Sequence, residues 1–255
     1  MKFAQYPSLV DRHVLVTGGG GGIGASHVEQ FWRQGARVVF IERDEAAARW
    51  LLDKLDAPEN RKPVFLHVDL CDIAAVQSAI AGHCAQHGDI EVLVNNAAHD
   101  ERHDLESVSV EYFDERIALN LRHLFFCAQS VVPGMARSGG GSIVNVGSFS
   151  WRVGLGGMPI YIAAKAAIEG LTRGLARDLG LRGIRVNTLV PGWVMTKRQL
   201  ELWVTDEGKA EIQRRQCLKD LVMPDDIARM ALWLASDDSR MCSAQSFVEI
   251  GRAHV

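Results

Sequence analysis

The stretch that most limits how this chain can fold lies between His13 and Glu42. His13 to Thr17 reads HVLVT, a short run with the character of a buried strand. It passes into GGGGGIG at Gly18 to Gly24 and then into ASHVEQFWRQGA, where Ile23, Val28, Phe31 and Trp32 recur at helical spacing and Gly35 marks a stop. RVVFIE follows as a second strand-like run and ends on Glu42. Strand, glycine turn, helix and strand make a βαβ unit, and such a unit belongs to a parallel sheet. The glycines let the backbone approach a pyrophosphate, while the helix start supplies N–H groups and the positive end of its dipole. A glycine run alone is often only a flexible turn; its place between a strand and a helix is what marks a dinucleotide site.

The same alternation continues. DEAAARWLLDKL reads as an amphipathic helix and PVFLHV as a strand, with Asp69 and Leu70 just after it. There Asp69 can cap a helix or touch an adenine. CDIAAVQSAIAGHCAQHG is the next helix and EVLV the fourth strand, followed at once by Asn95, Asn96, Ala97 and Ala98. A polar irregular stretch, HDERHDLESVSVEYF, leads into one long helix through DERIALNLRHLFFCAQSVVPGMA, with Ile117, Leu121, Leu124 and Phe125 on its apolar face. GGGSIVNV is a turn and fifth strand, GIRVNTLV a sixth ended by Pro191 and Gly192, and SFVEI a seventh. MPDDIARMALWLAS, with Pro224 at its start and acidic residues in its first turn, is the last helix. The expected architecture is α/β: one Rossmann-type doubly wound parallel sheet of about seven strands with helices on both faces, spanning 1–255 as a single domain. Residues 13–98 form its dinucleotide-binding half. Residues of about 193–222 show no single period and read as a lid of short helices over the substrate.

Chemistry enters at Ser148 to Lys165. Tyr161 and Lys165 lie four apart in a helical run, which stacks them on one face. A phenol beside an ammonium makes a base, because the positive charge favours phenolate and lowers the tyrosine below its ordinary value. Ser148 follows the strand-like SIVNV, where open α/β sheets place their ligands. The plain alternative is a helix with an ordinary Tyr and a snorkelling Lys. Glu42 ends the second strand, where a carboxylate accepts both hydroxyls of an adenosine ribose and repels a 2′-phosphate. That favours NAD over NADP, with Arg43 beside it offsetting part of the repulsion; the bland reading is two solvated turn residues.

Composition removes several classes. The formal net charge of -3 gives no basic surface for nucleic acid. No apolar run reaches the length of a membrane span, and MKFAQYPSLVDRH lacks the apolar segment of a signal peptide, so a cytoplasmic protein without membrane association is expected. The five cysteines make no C-x-x-C pair and read as reduced packing residues. His83 with His87 and His99 with His103 repeat a spacing of four, but neither pair brings the further ligands a metal site needs, so no metal is expected.

Taken together these residues resemble the short-chain dehydrogenase/reductase family over essentially the whole chain. Thr17-Gly18-x-x-x-Gly22-Ile23-Gly24 looks like its cofactor loop, Asn95-Asn96-Ala97-Ala98 like its N-N-A-G with Ala98 in place of Gly, and Pro191-Gly192 like its P-G after the sixth strand. Asn120, Ser148, Tyr161 and Lys165 fall where the family has its catalytic tetrad. The resemblance implies an NAD(P)-dependent oxidoreductase. Tyr161 would take a hydroxyl proton while hydride leaves for the cofactor, Lys165 would lower the Tyr161 pKa and hold the nicotinamide ribose, and Ser148 would hydrogen-bond the reacting oxygen. Asn120 would position a water behind Lys165. Gly18, Gly21, Gly22, Ile23, Gly24, Glu42, Arg43, Asp69, Leu70, Asn96, Ala97, Tyr161, Lys165, Pro191, Gly192, Val194 and Thr196 would hold the cofactor. A homotetramer or homodimer built through the helices near 112–136 and 161–181 and the last strand is also implied.

YPSL, DERIALNLRH, GSFSW and TKRQ look like a subgroup, the bacterial NAD-dependent pentose or aldose 1-dehydrogenases of the D-xylose type, which oxidise the ring-form C1 hydroxyl to a lactone. His99, Arg102, Ser148, Ser150, Trp151, Tyr161, Trp193 and Arg198 are then the candidates to meet a sugar. A keto-deoxy sugar acid or another secondary alcohol is the alternative substrate, and Arg102 and Arg198 would be the partners of its carboxylate. A non-catalytic dinucleotide-binding protein is the alternative of another class.

Overall fold

The structure, a computed structural model, describes residues 3–251. Seven parallel strands form one sheet: β1 (His13–Thr17), β2 (Arg37–Glu42), β3 (Val64–His67), β4 (Val92–Asn95), β5 (Gly141–Val146), β6 (Ile184–Pro191) and β7 (Ser246–Glu249), in the order β3-β2-β1-β4-β5-β6-β7. Strand order reverses between β1 and β4. β1 is paired in register on both sides, Leu15 with Val39 of β2 and with Leu93 of β4. Ligands of open α/β sheets bind outside the carboxyl ends of the strands at such a reversal.

Alternate residues of each central strand feed two cores. Val14 and Val16 pack with Val28 and Phe31 of α1 (Gly22–Arg33), Leu51 of α2 (Glu45–Leu55) and Ile227 of α9 (Pro224–Ala235). Leu15 and Leu93 pack on the other face with Val76 and Ile80 of α3 (Ile73–His87), Val131 of α5 (His123–Arg137) and Ala176 of α6 (Pro159–Leu179). Near-continuous apolar strands covered on both faces are what a parallel sheet requires. Between β6 and α9 run two short helices, α7 (Lys197–Leu202) and α8 (Asp206–Arg215), as the lack of a single period in that stretch implied.

Three local details differ from the sequence reading or add to it. The long helix expected around Asn120 is α4 (Val110–Ile117) joined to α5 through a π turn at Ala118–Arg122. The wider turn inserts extra residue and rotates the helix face. Leu124 is buried as expected, whereas Phe125 is 44% exposed. The cap of α3 is Asp72, whose carboxylate accepts the Ala75 N–H at 3.0 Å; Asp69 instead accepts the Cys71 N–H at 2.8 Å. His83 turns to the amino-terminal end of the sheet, where its Nε2 lies 2.9 Å from His13 Nε2 and its ring 4.5 Å from that of His87. All five cysteines are free thiols, and no helix among the described residues is long and apolar enough to cross a membrane.

Candidate active site

The carboxyl ends of β1, β2, β4, β5 and β6 open into one cleft of about 1780 Å³. That exceeds the ~300–1,000 Å³ of an ordinary small-molecule pocket and suits a long ligand with a second one beside it. Every residue singled out for the cofactor, from Gly18 to Thr196, lines it.

The glycine turn is shaped by close contacts. A Cβ on Gly24 would lie 1.8 Å from the Gly18 carbonyl oxygen, and one on Gly18, where φ is +65°, would lie 2.9 Å from the Ala97 backbone. Gly21, in contrast, has nothing within 4 Å of its Cβ position, and as the N-cap of α1 it offers no side-chain hydrogen bond to the helix N–H groups. Open space over uncapped N–H groups fits a pyrophosphate. The turn is braced from β4: Thr17 Oγ1 accepts the N–H groups of Asn96 (3.0 Å) and Ala97 (3.1 Å), and Asn96 Nδ2 donates to the carbonyls of Thr17 and Gly18. Asn96 therefore stands at the cleft and also holds its floor. Asn95 turns inward, donating to Asn145 Oδ1 at 2.9 Å; Asn145 in turn donates to Thr172 on α6. This buried polar ladder went unread because Asn145 sits inside an apolar strand pattern.

Glu42 stands on the cleft wall with its carboxylate already bound. Oε2 accepts the Gly20 N–H at 3.1 Å, and Oε1 accepts those of Arg43 (2.8 Å) and Asp44 (3.0 Å). One side chain thus ties the glycine turn to the turn after β2.

At the far end of the cleft, α6 carries Tyr161 and Lys165. Lys165 is 2% exposed and donates to the Val146 carbonyl at 2.7 Å, with its Nζ 5.7 Å from the centre of the Tyr161 ring. Burial pulls the Lys165 ammonium down to about 7, against the nearby Asp100 charge. Burial pushes the Tyr161 phenol up to about 12; a Ser148 hydrogen bond, Arg102 and Arg198 act downwards and Asp100 upwards. The expected lowering of Tyr161 by Lys165 is therefore overridden among the protein groups themselves: both are held toward their uncharged forms by desolvation. The Ser148 hydroxyl also meets Ser150 Oγ at 2.8 Å.

Asn120 is wholly buried behind these groups rather than in the cleft wall. Its side chain spends both ends on backbone, accepting the His99 N–H at 2.8 Å and donating to the Arg116 carbonyl at 2.9 Å. These two bonds use one of the two Nδ2 hydrogens and one of the two Oδ1 lone pairs, so the amide keeps a donor and an acceptor position for a water.

Over the cleft lies a polar rim. Asp100 receives hydrogen bonds from Arg198 Nη1 and from Gln199 Nε2 (2.8 Å), both on α7. Gln199 also accepts from Trp193 Nε1 at 2.9 Å. The Arg102 guanidinium sits 5.0 Å from the centre of the Trp203 ring, and the His103 N–H reaches the Gly157 carbonyl at 2.9 Å. His99, Arg102, Ser148, Ser150, Trp193 and Arg198 line the cleft as expected. Trp151 does not: its ring lies against Arg152, 5.3 Å from the guanidinium carbon. Asp100 and Gln199 were missed because an acid and an amide 99 residues apart announce no partnership in the sequence.

A crevice at the strand reversal, a glycine turn over a helix start and a Ser–Tyr–Lys floor define a dinucleotide-dependent oxidoreductase site. Residues 19–249 match a family model described as enoyl-(acyl carrier protein) reductase. The chain is 47% identical over 247 residues to a D-xylose 1-dehydrogenase of Caulobacter vibrioides, covering 97% of each. It is also 47% identical over 245 residues to a probable galactose dehydrogenase of Rhizobium meliloti, covering 96% of each. A short-chain dehydrogenase/reductase structure from Mycobacterium ulcerans superposes with a TM-score of 0.89 at 25% identity, covering 97% of this chain and 90% of that one. The chain belongs to the short-chain dehydrogenase/reductase family and is an oxidoreductase of that family, whose dehydrogenases use an NAD(P) nucleotide.

Proposed function

We propose that this enzyme oxidises the C1 hydroxyl of an aldopyranose, a pentose, 6-deoxyhexose or hexose such as D-xylose, L-arabinose or L-fucose, to the lactone with NAD. Two relatives at 47% identity over nearly the whole chain, one named for D-xylose and one for galactose, carry the reading toward an aldose. The rim supports a neutral substrate: Arg198, the obvious partner for a sugar acid, is already neutralised by Asp100, and Arg102 lies over Trp203. The residues from about 193 to 222 act as the lid over this site.

Glycines 18 to 24 and the start of α1 hold the pyrophosphate, Glu42 and Arg43 the adenosine ribose, and Asp69 and Leu70 the adenine. Pro191, Gly192, Val194 and Thr196 hold the nicotinamide end. When bound there, NAD would supply the acceptor for a hydride from the sugar carbon. Tyr161 takes the proton of the C1 hydroxyl, Ser148 hydrogen-bonds the same oxygen and, with Arg102 and Arg198, acts to lower the Tyr161 phenol, and Lys165 holds the nicotinamide ribose. Asn120 pins His99 to the π turn, and its remaining donor and acceptor positions hold a water behind Lys165. Three of the roughly four acceptor positions of the Glu42 carboxylate are in use, and the remaining capacity with its negative charge suits a ribose diol better than a 2′-phosphate. NAD is therefore preferred, with NADP the weaker partner. Exposed Phe113 and Phe125 along α4 and α5 support a homodimer or homotetramer through these helices.

The test is NADH formation with D-xylose, L-arabinose, L-fucose, D-galactose and D-glucose, with NADP run in parallel. Turnover on one or more aldoses with NAD is expected. Silence on all of them, with NAD still raising the melting temperature, would overturn the aldose reading in favour of a sugar acid or another alcohol.

A further inference from the structure

His99 reaches the cleft from the loop after β4, and its ring is held from behind by a charge that is itself almost sealed from water. Arg116, on α4, is 6% exposed. Its Nη1 lies 3.0 Å from His99 Nδ1 and 2.8 Å from Glu101 Oε2, its Nη2 2.6 Å from Glu115 Oε1, and its guanidinium 5.3 Å from the centre of the Tyr112 ring. Its carbonyl takes the Asn120 amide, and the other end of that amide takes the His99 N–H. Arg116 therefore has little freedom to move.

A guanidinium has five donors and no acceptor. Its contact with Nδ1 requires that nitrogen to accept, which puts the ring proton on Nε2 and leaves the imidazole neutral. The rival arrangement, an Nδ1–H donating to Glu101, has the longer distance of 3.4 Å and sets an N–H against the guanidinium. Of the charges facing the ring, Arg116 and Arg198 oppose a proton on it while Glu101 and Asp100 favour one; burial tips the balance toward the neutral form. Nε2 has no protein partner among the described residues, and the His99 side chain is 32% exposed at the cleft.

We propose that His99 is a substrate-binding residue that presents an Nε2–H donor to a hydroxyl of the sugar away from the reacting carbon, and that Arg116 is the positioning residue that fixes this tautomer. The substrate half rests on the aldose reading. The tautomer half does not.

Two measurements test it. The ring nitrogens of ¹⁵N-histidine-labelled protein, with His99→Gln identifying the signal, should show His99 as the Nε2–H tautomer near neutral pH. An imidazolium or an Nδ1–H tautomer would overturn the proposal whatever the substrate proves to be. In kinetics on the alcohol the wild type oxidises best, His99→Leu should raise its KM about tenfold, the loss expected for one hydrogen bond, with kcat and the KM for NAD within about threefold. His99→Gln, whose amide can accept from Arg116 and donate to substrate, should recover most of the loss. Arg116→Met should mimic His99→Leu, and the double variant should be no worse than either. An unchanged KM in His99→Leu, or fully additive effects in the double variant, would refute the assignment. Failure of the aldose reading would appear separately, as absence of turnover on every aldose with the Nε2–H tautomer intact.

Discussion

The floor and the rim of the cleft are built differently. The floor is held by backbone: Lys165 on the Val146 carbonyl, Asn96 on Thr17 and Gly18, Glu42 on three N–H groups. The rim is held by side chains that meet across the chain, Asp100 with Arg198 and Gln199, Arg102 over Trp203, Arg116 with His99. Backbone partners remain when side chains change, so a floor of this kind keeps one geometry. Side-chain partners are replaceable, so the rim is where substrate preference can vary without disturbing the fold.

The largest effect should come from breaking the floor at its chemistry. Tyr161→Phe should lower kcat by about 10² to 10⁴, the range for a general base, while thermal stabilisation by NAD persists. Near-normal turnover would remove Tyr161 from the mechanism. Gly24→Ala comes next. Its Cβ would lie 1.8 Å from a backbone oxygen, so the turn must shift, at a cost of about 1–3 kcal/mol or more, and the melting shift with NAD should vanish. A retained NAD shift would mean that the turn is not the cofactor site.

A third prediction probes the sheet end opposite the cleft. His13 and His83 are both pushed down to about 4, chiefly by burial. Their folded values lie below the ordinary 6.5, so the folded state favours the neutral rings and the unfolded chain takes up protons first. The stability they contribute is present above 6.5 and is lost as pH falls toward about 4. Melting temperature should fall by at least about 4 °C between pH 7.5 and 5, and His83→Gln should flatten that slope. A slope unchanged in His83→Gln would assign the acid lability to other groups. The smallest effect belongs to the rim. Asp100→Asn, at a partly exposed ion pair, should change the sugar KM less than about tenfold and leave NAD binding and melting temperature nearly untouched. A collapse of stability in that variant would erase the distinction between floor and rim.

The same division governs what could be read from the sequence. The seven strands and the order of the motifs were legible because parallel strands buried on both faces read as apolar runs between helices, and because Gly18–Gly24, Tyr161 and Lys165 obey local spacing. Trp151 illustrates the limit: its place after the fifth strand suggested the cleft, yet its ring lies against Arg152. The π turn at Asn120 was invisible to a 3.6-residue period, and it reorients Phe125. The ionisation of Tyr161 also escaped, since the Lys165 spacing says nothing of how deeply both are buried.

The Asp100 contacts carry a consequence for the order in which the molecule can be made. Ribosomes release a chain from its amino end, and Arg198 lies 98 residues beyond Asp100. The first four strands can therefore pair around the glycine turn while Asp100, on the rim, still lacks its counterparts Arg198 and Gln199. On the proposed assignment, a nascent or truncated chain should hold the adenosine and pyrophosphate of the nucleotide before it holds the nicotinamide end or a substrate, because Pro191 to Thr196 emerge just ahead of Arg198.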